Sequence, residues 1–514
     1  MSFSIYTNQN GDIQLPNLTV SSNIEFPVGN VRIGNLAGNV NQSATAIAIG
    51  NDAGRVNQGI SAVAVGVEAG EVAQAQDCVA IGFQAQLDTP SSIAIAIGRE
   101  AGELGQGQSS VAIGNLAGSN IQGTGSVAIG PNSASIIQGT NCIAIGTEAG
   151  EDNQSNNATA VGRRAGRFTQ GLSATAVGIQ AGQTNQGISA VAVGNASALE
   201  NQGTNAVAVG VLSGRENQGT SAVAIGDRSG QFSQMANAVS VGVFAGNQTQ
   251  ENGAVAIGTS SGRNYQKNNS ISIGNNAGFG SALDISGGQQ IDGIAIGTQS
   301  GRYGQQTRAI AIGREAGQGA LDGSGVAINT QKADAVAIGY LSGSVNQRYN
   351  TVAIGRQAGQ TNQSSQATSV GYYAGNTGQG LDATAYGREA GRTNQGNNAT
   401  AIGAYSGLNT QGAQCVAIGY YAGNQTQQTN AIAIGNQTGE TNQGADAIAI
   451  GRLAGETSQP ANTIILNASG VATNGVALQT NSFYVRPVRG QALGIGVGVL
   501  HYDPATFEIT YSTT

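Results

Sequence analysis

The chain has no tryptophan, two methionines, three cysteines and one histidine, and aromatic residues fill only 4% of its 514 positions. Charged residues make up 10%, against about 25% in an average protein. So few aromatics leave little material for a conventional core. The lone histidine, His501, lies near the carboxyl end, so the rest of the chain holds no nucleophile–histidine pair and no histidine-based metal site. No Cys/His cluster has metal-ligand spacing, and no cofactor is expected. Twenty-one Lys and Arg are spread thinly in a chain of net charge −7, which argues against nucleic acid and against an anionic membrane surface as partners. No apolar run approaches the roughly 18 residues of a membrane helix. The opening MSFSIYTNQNGDIQ lacks the charged start and apolar stretch of a secretory signal. The expectation is synthesis in a cytosol, with any export by assembly or lysis.

What is abundant is glycine, 81 residues, and a hydrophobic share of 39% dominated by Ile, Val and Ala in a fixed pattern. That pattern argues for a folded chain rather than a disordered one. The segment [Val/Ile]-Ala-[Ile/Val]-Gly returns along the whole sequence, its glycine falling at Gly34, Gly50, Gly66, Gly82 and so on to Gly274, one every 16 residues. The series resumes at Gly297 and Gly313, places Asn329 in the glycine position, and runs from Gly339 through Gly355 to Gly451 and Asn467. Of 27 steps, 25 are 16 residues long. The exceptions predict an enlarged loop over 275–290 and a shortened coil over 330–338. A strict period with β-branched residues two apart and no helical spacing predicts an all-β parallel solenoid, one coil per repeat. At roughly 4.8 Å per coil, about 27 coils stack into a rod on the order of 130 Å long.

Strand alternation puts Ile47 and Ile49 on one face and Ala46 and Ala48 on the other. The larger pair is expected to point into the coil and the alanines outward. A strand that is apolar on one side and small on the other reads as buried on both, so a second surface must cover the alanines. Three chains packed by their alanine faces would do so, and a homotrimer is expected; a monomer with a solvated small face is the alternative. Coil corners are assigned to the anchor glycines, among them Gly50, Gly66, Gly114, Gly226, Gly355 and Gly435. A small residue and often a second glycine, as in Ala53-Gly54, follow where only glycine readily takes positive φ.

Eight residues past the anchor stands a glutamine in 23 of 27 coils, including Gln42, Gln58, Gln106, Gln186, Gln218, Gln363 and Gln443. Stacked amides one coil apart can hydrogen-bond along the axis as a structural ladder. The departures are Pro90, Ala282, Leu321 and Ala337. Cys78, Cys142 and Cys415 each precede their anchor by four residues, on the same small face. Four coils separate the nearest pair, too far for a bridge within one chain. They are candidate axial thiols where copies meet near a threefold axis; the plainer reading is a buried thiol serving as a small hydrophobe. Glu68, Glu100, Glu148, Glu315 and Glu389 share a register but stand in separated coils, often beside an arginine, and read as solvated charges rather than a catalytic pair. No enzymatic activity is expected, and glycan depolymerisation is the least favoured alternative.

Residues 1–30 lack the repeat and read as a capping or attachment segment, 31–467 as the solenoid, and 468–514 as a small β-rich cap or tip carrying Phe483, Tyr484, Tyr502, Phe507 and Tyr511. Exposed solenoid ends polymerise unless covered.

The Ser-Val-Ala-Ile-Gly type of repeat over 31–467 resembles the head of trimeric autotransporter adhesins, which implies a left-handed parallel β-roll homotrimer. Those heads usually repeat with a shorter period and continue into a coiled-coil stalk and a membrane barrel that have no counterpart here. The longer Ala-Gly-x-x-Asn-Gln-Gly form is similar to repeat proteins of giant DNA viruses. The ending Phe483-Tyr484-Val485-Arg486-Pro487-Val488-Arg489, with Leu500-His501-Tyr502-Asp503 and Glu508-Ile509-Thr510-Tyr511, is similar to segments of viral fibre-like proteins, where a self-cleaving chaperone often follows. The resemblance implies a virion-surface fibre or adhesin that meets a host glycan or receptor, or a capsid protein. The alternative is a purely structural, self-assembling extracellular filament or scaffold.

Overall fold

The structure is a computed structural model that describes residues 29–88, 91–281, 288–489, 499–507 and 509–512, so the proposed amino-terminal cap lies almost wholly outside the described residues. The chain divides after Ser260 into two compact units. Each is a parallel β-solenoid, and no described residue is helical.

In the first unit, three-residue strands recur from Val31–Ile33, Ile47–Ile49 and Val63–Val65 to Val255–Ile257. Each lies parallel and in register with the same strand of the next coil: Ile47 beside Val63, Ala48 beside Ala64, Ile49 beside Val65. We call these the alanine strands. Glutamine strands, such as Asp152–Gln154 through Glu216–Gln218, form a second parallel stack in which Gln186 lies beside Gln202. The second unit repeats the plan, with alanine strands from Ile271–Ile273 to Ile448–Ile450 and glutamine strands from Val345–Gln347 to Thr441–Gln443.

Backbone hydrogen bonds join the coils all round their perimeter. In one coil the amides of Gly178, Gln180 and Ser189 reach back to Val161, Arg163 and Leu172 at 2.8–2.9 Å. Those of Thr175, Gly182, Thr184 and Gly187 reach forward to Ala190, Ser197, Leu199 and Gln202 at 2.8–3.0 Å. Corners as well as strands therefore satisfy their polar groups, each of which would cost about 1–3 kcal/mol if left buried and unpaired. In most coils three non-glycine residues take the left-handed conformation, as Gln180, Asn185 and Ser189 do at φ 59°, 53° and 54°. The recurrent Asn before the ladder glutamine thus has a physical reason: asparagine tolerates this region better than most residues.

The structure reverses the expected faces. Ala48, Ala64 and Ala80, with Ala46 and Ala62, are fully buried inside the coil, whereas Ile47 and Ile49 are only half-buried on the outside. The core of the first unit is a column of alanines running from Ala37 and Ala48 to Ala208. The lumen is narrow because the buried glutamine side chain already crosses it: a Cβ built on Gly54 would lie 2.7 Å from the Gln58 side-chain amide. A space that cannot accept a methyl group at the corner cannot accept a stack of isoleucines.

The two irregular steps also resolve differently. Gly274 to Gly297 is one coil with an insertion before Gln289, as expected of an enlarged loop. Gly313 to Gly339 is likewise one coil, since Ile310, Ala311 and Ile312 pair directly with Val336, Ala337 and Ile338. The excess is an antiparallel excursion, Ala320–Leu321 against Ala327–Ile328. Asn329 is therefore not an anchor, and there is no shortened coil over 330–338. At the carboxyl end, Phe483–Arg486 pairs in parallel with Ile464–Asn467, so the sheet extends past the expected boundary at 467. Val499–Tyr502 and Ile509–Ser512 follow as an antiparallel pair.

Candidate functional surfaces

The interior of each unit is a hydrogen-bonded amide column. Gln186 Nε2 donates to the Thr175 carbonyl at 2.8 Å and to Gln202 Oε1 at 3.1 Å. Gln218 does the same with Val207 and Gln234, Gln363 with Val352 and Gln379, and Gln443 with Ile432 and Gln459. Gln58 donates to Gln74, and Gln42 opens the column half-buried, donating to Gln58 at 2.9 Å. The apparent departures are filled from neighbouring positions. Gln86 replaces Pro90, receiving from Gln74 and donating to Gln106, while Gln289 and Gln331 serve the two enlarged coils. The column has gaps where Gln122, Gln138 and Gln347 Oε1 receive no hydrogen bond. Gln106 still donates to the Ile95 carbonyl at 2.8 Å.

The anchor glycines are steps of a close backbone stack. Gly50, Gly66, Gly114, Gly226, Gly355 and Gly435 have φ between +121° and +136°. A Cβ on Gly226 would lie 2.7 Å from the Gly242 carbonyl oxygen, and one on Gly355 2.5 Å from that of Gly371. Both conformation and contact therefore demand glycine.

The cysteines lie inside their own coils. Cys78, Cys142 and Cys415 are free and fully buried. Their Sγ atoms point at the carbonyls of Ser91, Ser155 and Gln428, at 3.2, 2.9 and 2.7 Å. Enclosed by their own backbone, they are not presented to the same residue of another chain, which corrects the reading of them as axial thiols. Burial raises all three thiols, against backbone hydrogen bonds that lower them, and takes Cys415 from 9.0 to about 11.

The corner carboxylates are held by arginines or an amide. Glu100 pairs with Arg99 at 2.7 Å, Glu315 with Arg314 at 2.9 Å and Glu389 with Arg392 at 2.8 Å. Glu148 meets Arg164 and Arg167 at 2.8 and 3.1 Å, and Glu68 accepts from Gln84 Nε2 at 2.7 Å. Each is matched by a cation or an amide; Glu148 shares Arg167 with Glu151, and the Glu103 carboxyl is raised by burial and by the neighbouring Glu100 charge. Among the described residues no group of three or more His, Cys, Asp or Glu could hold a metal ion.

Two outer surfaces escaped the sequence reading. One is the pair of aliphatic columns flanking the buried alanines, in which Ile145, Ile225 and Ile257 of the first unit and Ile354, Ile402 and Ile450 of the second are exposed. In the second unit the columns end on Phe483 and Val485, beside a groove of about 640 Å³ lined by Ile464, Phe483, Tyr502, Phe507 and Ile509. The other is a tyrosine- and arginine-bearing corner of the second unit, built on the residues directly after the anchor glycines: Tyr340, Arg356, Tyr372, Arg388 and Tyr420. The signal for it was present, since a chain this poor in aromatics concentrates tyrosines at one register.

Comparison of the chain with protein-family models, with curated proteins and with solved structures gave no match.

Proposed function

We propose that this protein is a non-catalytic, fibre-type structural protein that works as a homotrimer, its aliphatic columns packed against those of two further copies. The fold suits a structural role: within each unit the coils are joined along one axis, with no enclosed cleft around convergent reactive groups among the described residues. The observation that carries the assembly is the exposure of the Ile/Val columns. Soluble monomers rarely leave large contiguous apolar patches in water. Covering the rest of one half-buried Val or Ile contributes about 1 kcal/mol, repeated coil after coil. Reversing the faces moves the demand for cover from alanine to these larger side chains and strengthens it.

The role we assign is a virion-surface fibre or adhesin-like decoration, meeting a host glycan, a receptor or a capsid protein through its exposed turns. The likeness of the repeat and of the Phe483–Arg489 ending to viral fibre-like proteins supports it. Light scattering on the purified chain tests the assembly: a mass of three chains is expected, and Ile225→Lys, which sets a charge in one column, should lower it. A single-chain mass for the unaltered protein would sink the trimer. End-to-end filaments are the second reading, since a solenoid end is a sheet edge that pairs with another unless covered. Negative-stain images separate discrete particles from indefinite fibres.

A further inference from the structure

The tyrosine–arginine corner of the second unit has the chemistry of a binding track. The residue after each anchor glycine faces water, and Tyr340, Tyr372 and Tyr420 are 37%, 43% and 48% exposed. Arg356 stands in the same register between the first two, its guanidinium carbon 5.5 Å from the Tyr340 ring centre and 5.7 Å from that of Tyr372. Arg388 lies 4.4 Å from the Tyr405 ring centre and donates to the Tyr405 hydroxyl. The Tyr405 ring is 6.1 Å from Tyr420 in an edge-on arrangement. Rings and cations thus line one edge in successive coils, roughly 4.8 Å apart.

The cations are available. Elsewhere on the same corner Arg314 and Arg392 are neutralised by Glu315 and Glu389, whereas among the described residues Arg356 and Arg388 have no carboxylate within ion-pair distance. In a chain of net charge −7, two such guanidinium groups, Arg356 between two tyrosine rings and Arg388 against the Tyr405 ring, form a local site for an anion. Exposed tyrosine rings offer flat apolar faces for the C–H faces of pyranose rings, and their hydroxyls offer hydrogen bonds. The register offers the pair twice, Tyr340–Arg356 and Tyr372–Arg388, two coils apart, which suits a polymer with a repeating unit.

We propose that the corner spanning Tyr340, Arg356, Tyr372, Arg388, Tyr405 and Tyr420 binds an anionic polysaccharide, with sugar rings stacked on tyrosine and carboxylates held by Arg356 and Arg388. The proposal rests on the reading of the protein as an attachment fibre and names the class of ligand it takes. The test is affinity electrophoresis of the full chain through gels containing hyaluronan, which carries a carboxylate in every disaccharide, or neutral dextran.

Retardation by hyaluronan and not dextran is expected, with affinity falling at least tenfold in Arg356→Gln/Arg388→Gln and in Tyr372→Ala/Tyr420→Ala. Arg99→Gln, on the same register of the first unit, should leave it unchanged. No retardation by hyaluronan, or retardation unaltered in both double variants, overturns the proposal. So does loss of binding to a protein receptor, without any polysaccharide binding, in the same variants. The same preparations are weighed by light scattering: trimers that ignore hyaluronan overturn the glycan track alone, whereas a single-chain mass overturns the fibre reading on which it rests.

Discussion

Replacing Gln218 by leucine tests whether the amide column stabilises the coil or merely fills it. Gln218 is 2% exposed; its Nε2 donates to the Val207 carbonyl at 2.9 Å, the Ala222 carbonyl at 3.4 Å and Gln234 Oε1 at 3.1 Å, and its Oε1 accepts from Gln202 at 3.1 Å. Leucine has similar bulk, so little cavity forms. Gln202 keeps the Val191 and Ala206 carbonyls as acceptors. Gln234 Oε1 loses its donor outright. One orphaned buried acceptor costs about 1–3 kcal/mol. The gaps at Gln122, Gln138 and Gln347 show that the fold accommodates such an oxygen, which places the expected loss near 2 kcal/mol. Gln218→Ala adds a cavity and should cost about 3–5 kcal/mol.

Because coils couple mainly to their neighbours, the loss should be local. Hydrogen exchange followed by mass spectrometry should show faster exchange over coils 202–234, with the coil around Ile47–Ile49 unchanged. The double variant Gln218→Leu/Gln234→Leu removes both donor and orphaned acceptor of that rung, so its cost should fall below the sum of the single ones. A Gln218→Leu protein with wild-type protection in its own coils, or strictly additive losses, would refute the reasoning.

Gly226→Ala should destabilise its coil by about 3–5 kcal/mol through combined strain and overlap, measured by denaturant unfolding; Gly323→Ala, with nothing within 4 Å of the added methyl, should be within about 0.5 kcal/mol of neutral. Deleting residues 319–328 removes the antiparallel excursion and brings Gln331 to the ordinary distance from Gly313, so the melting temperature should barely change. The buried thiols make stability pH-dependent at the alkaline end. Their pKa values are higher folded than unfolded, so their contribution is complete below about pH 9 and disappears as pH rises through about 11 at Cys415. Native Cys415 should resist iodoacetamide at pH 9, and Cys415→Ala should flatten the stability profile between pH 9 and 11.

The period, the strands, the anchor glycines and most ladder positions could be read from the sequence, because each repeats without reference to the rest of the fold; Gln86, Gln289 and Gln331 could not, since they stand off the regular spacing. The inside and outside of the strand could not be read from alternation alone, which separates two faces without saying which is enclosed. The discriminating sign was tolerance. The central position accepts only Ala or Ser from Ala48 to Ala449, whereas the flanking ones admit Thr159, Thr384 and the bulky Tyr386. A position that takes tyrosine faces water. Asn329 misled for a related reason: it follows an Ala-Ile pair at the right distance from Gly313, but spacing does not reveal that this pair belongs to a hairpin. The register of the Tyr–Arg corner stood in the sequence, but its distances did not: stacking sets Arg356 between rings from the coils before and after it.

The alanine interior has a consequence for heredity. Within each unit, neighbouring coils present nearly the same floor, the same rung and the same step to one another, so a junction between any two of them is chemically much like the next. Copying or excising one sixteen-residue segment leaves every remaining junction of a kind the fold already contains. Recombination between repeats in the gene can therefore lengthen or shorten the chain with little penalty, while the residues facing water diverge coil by coil.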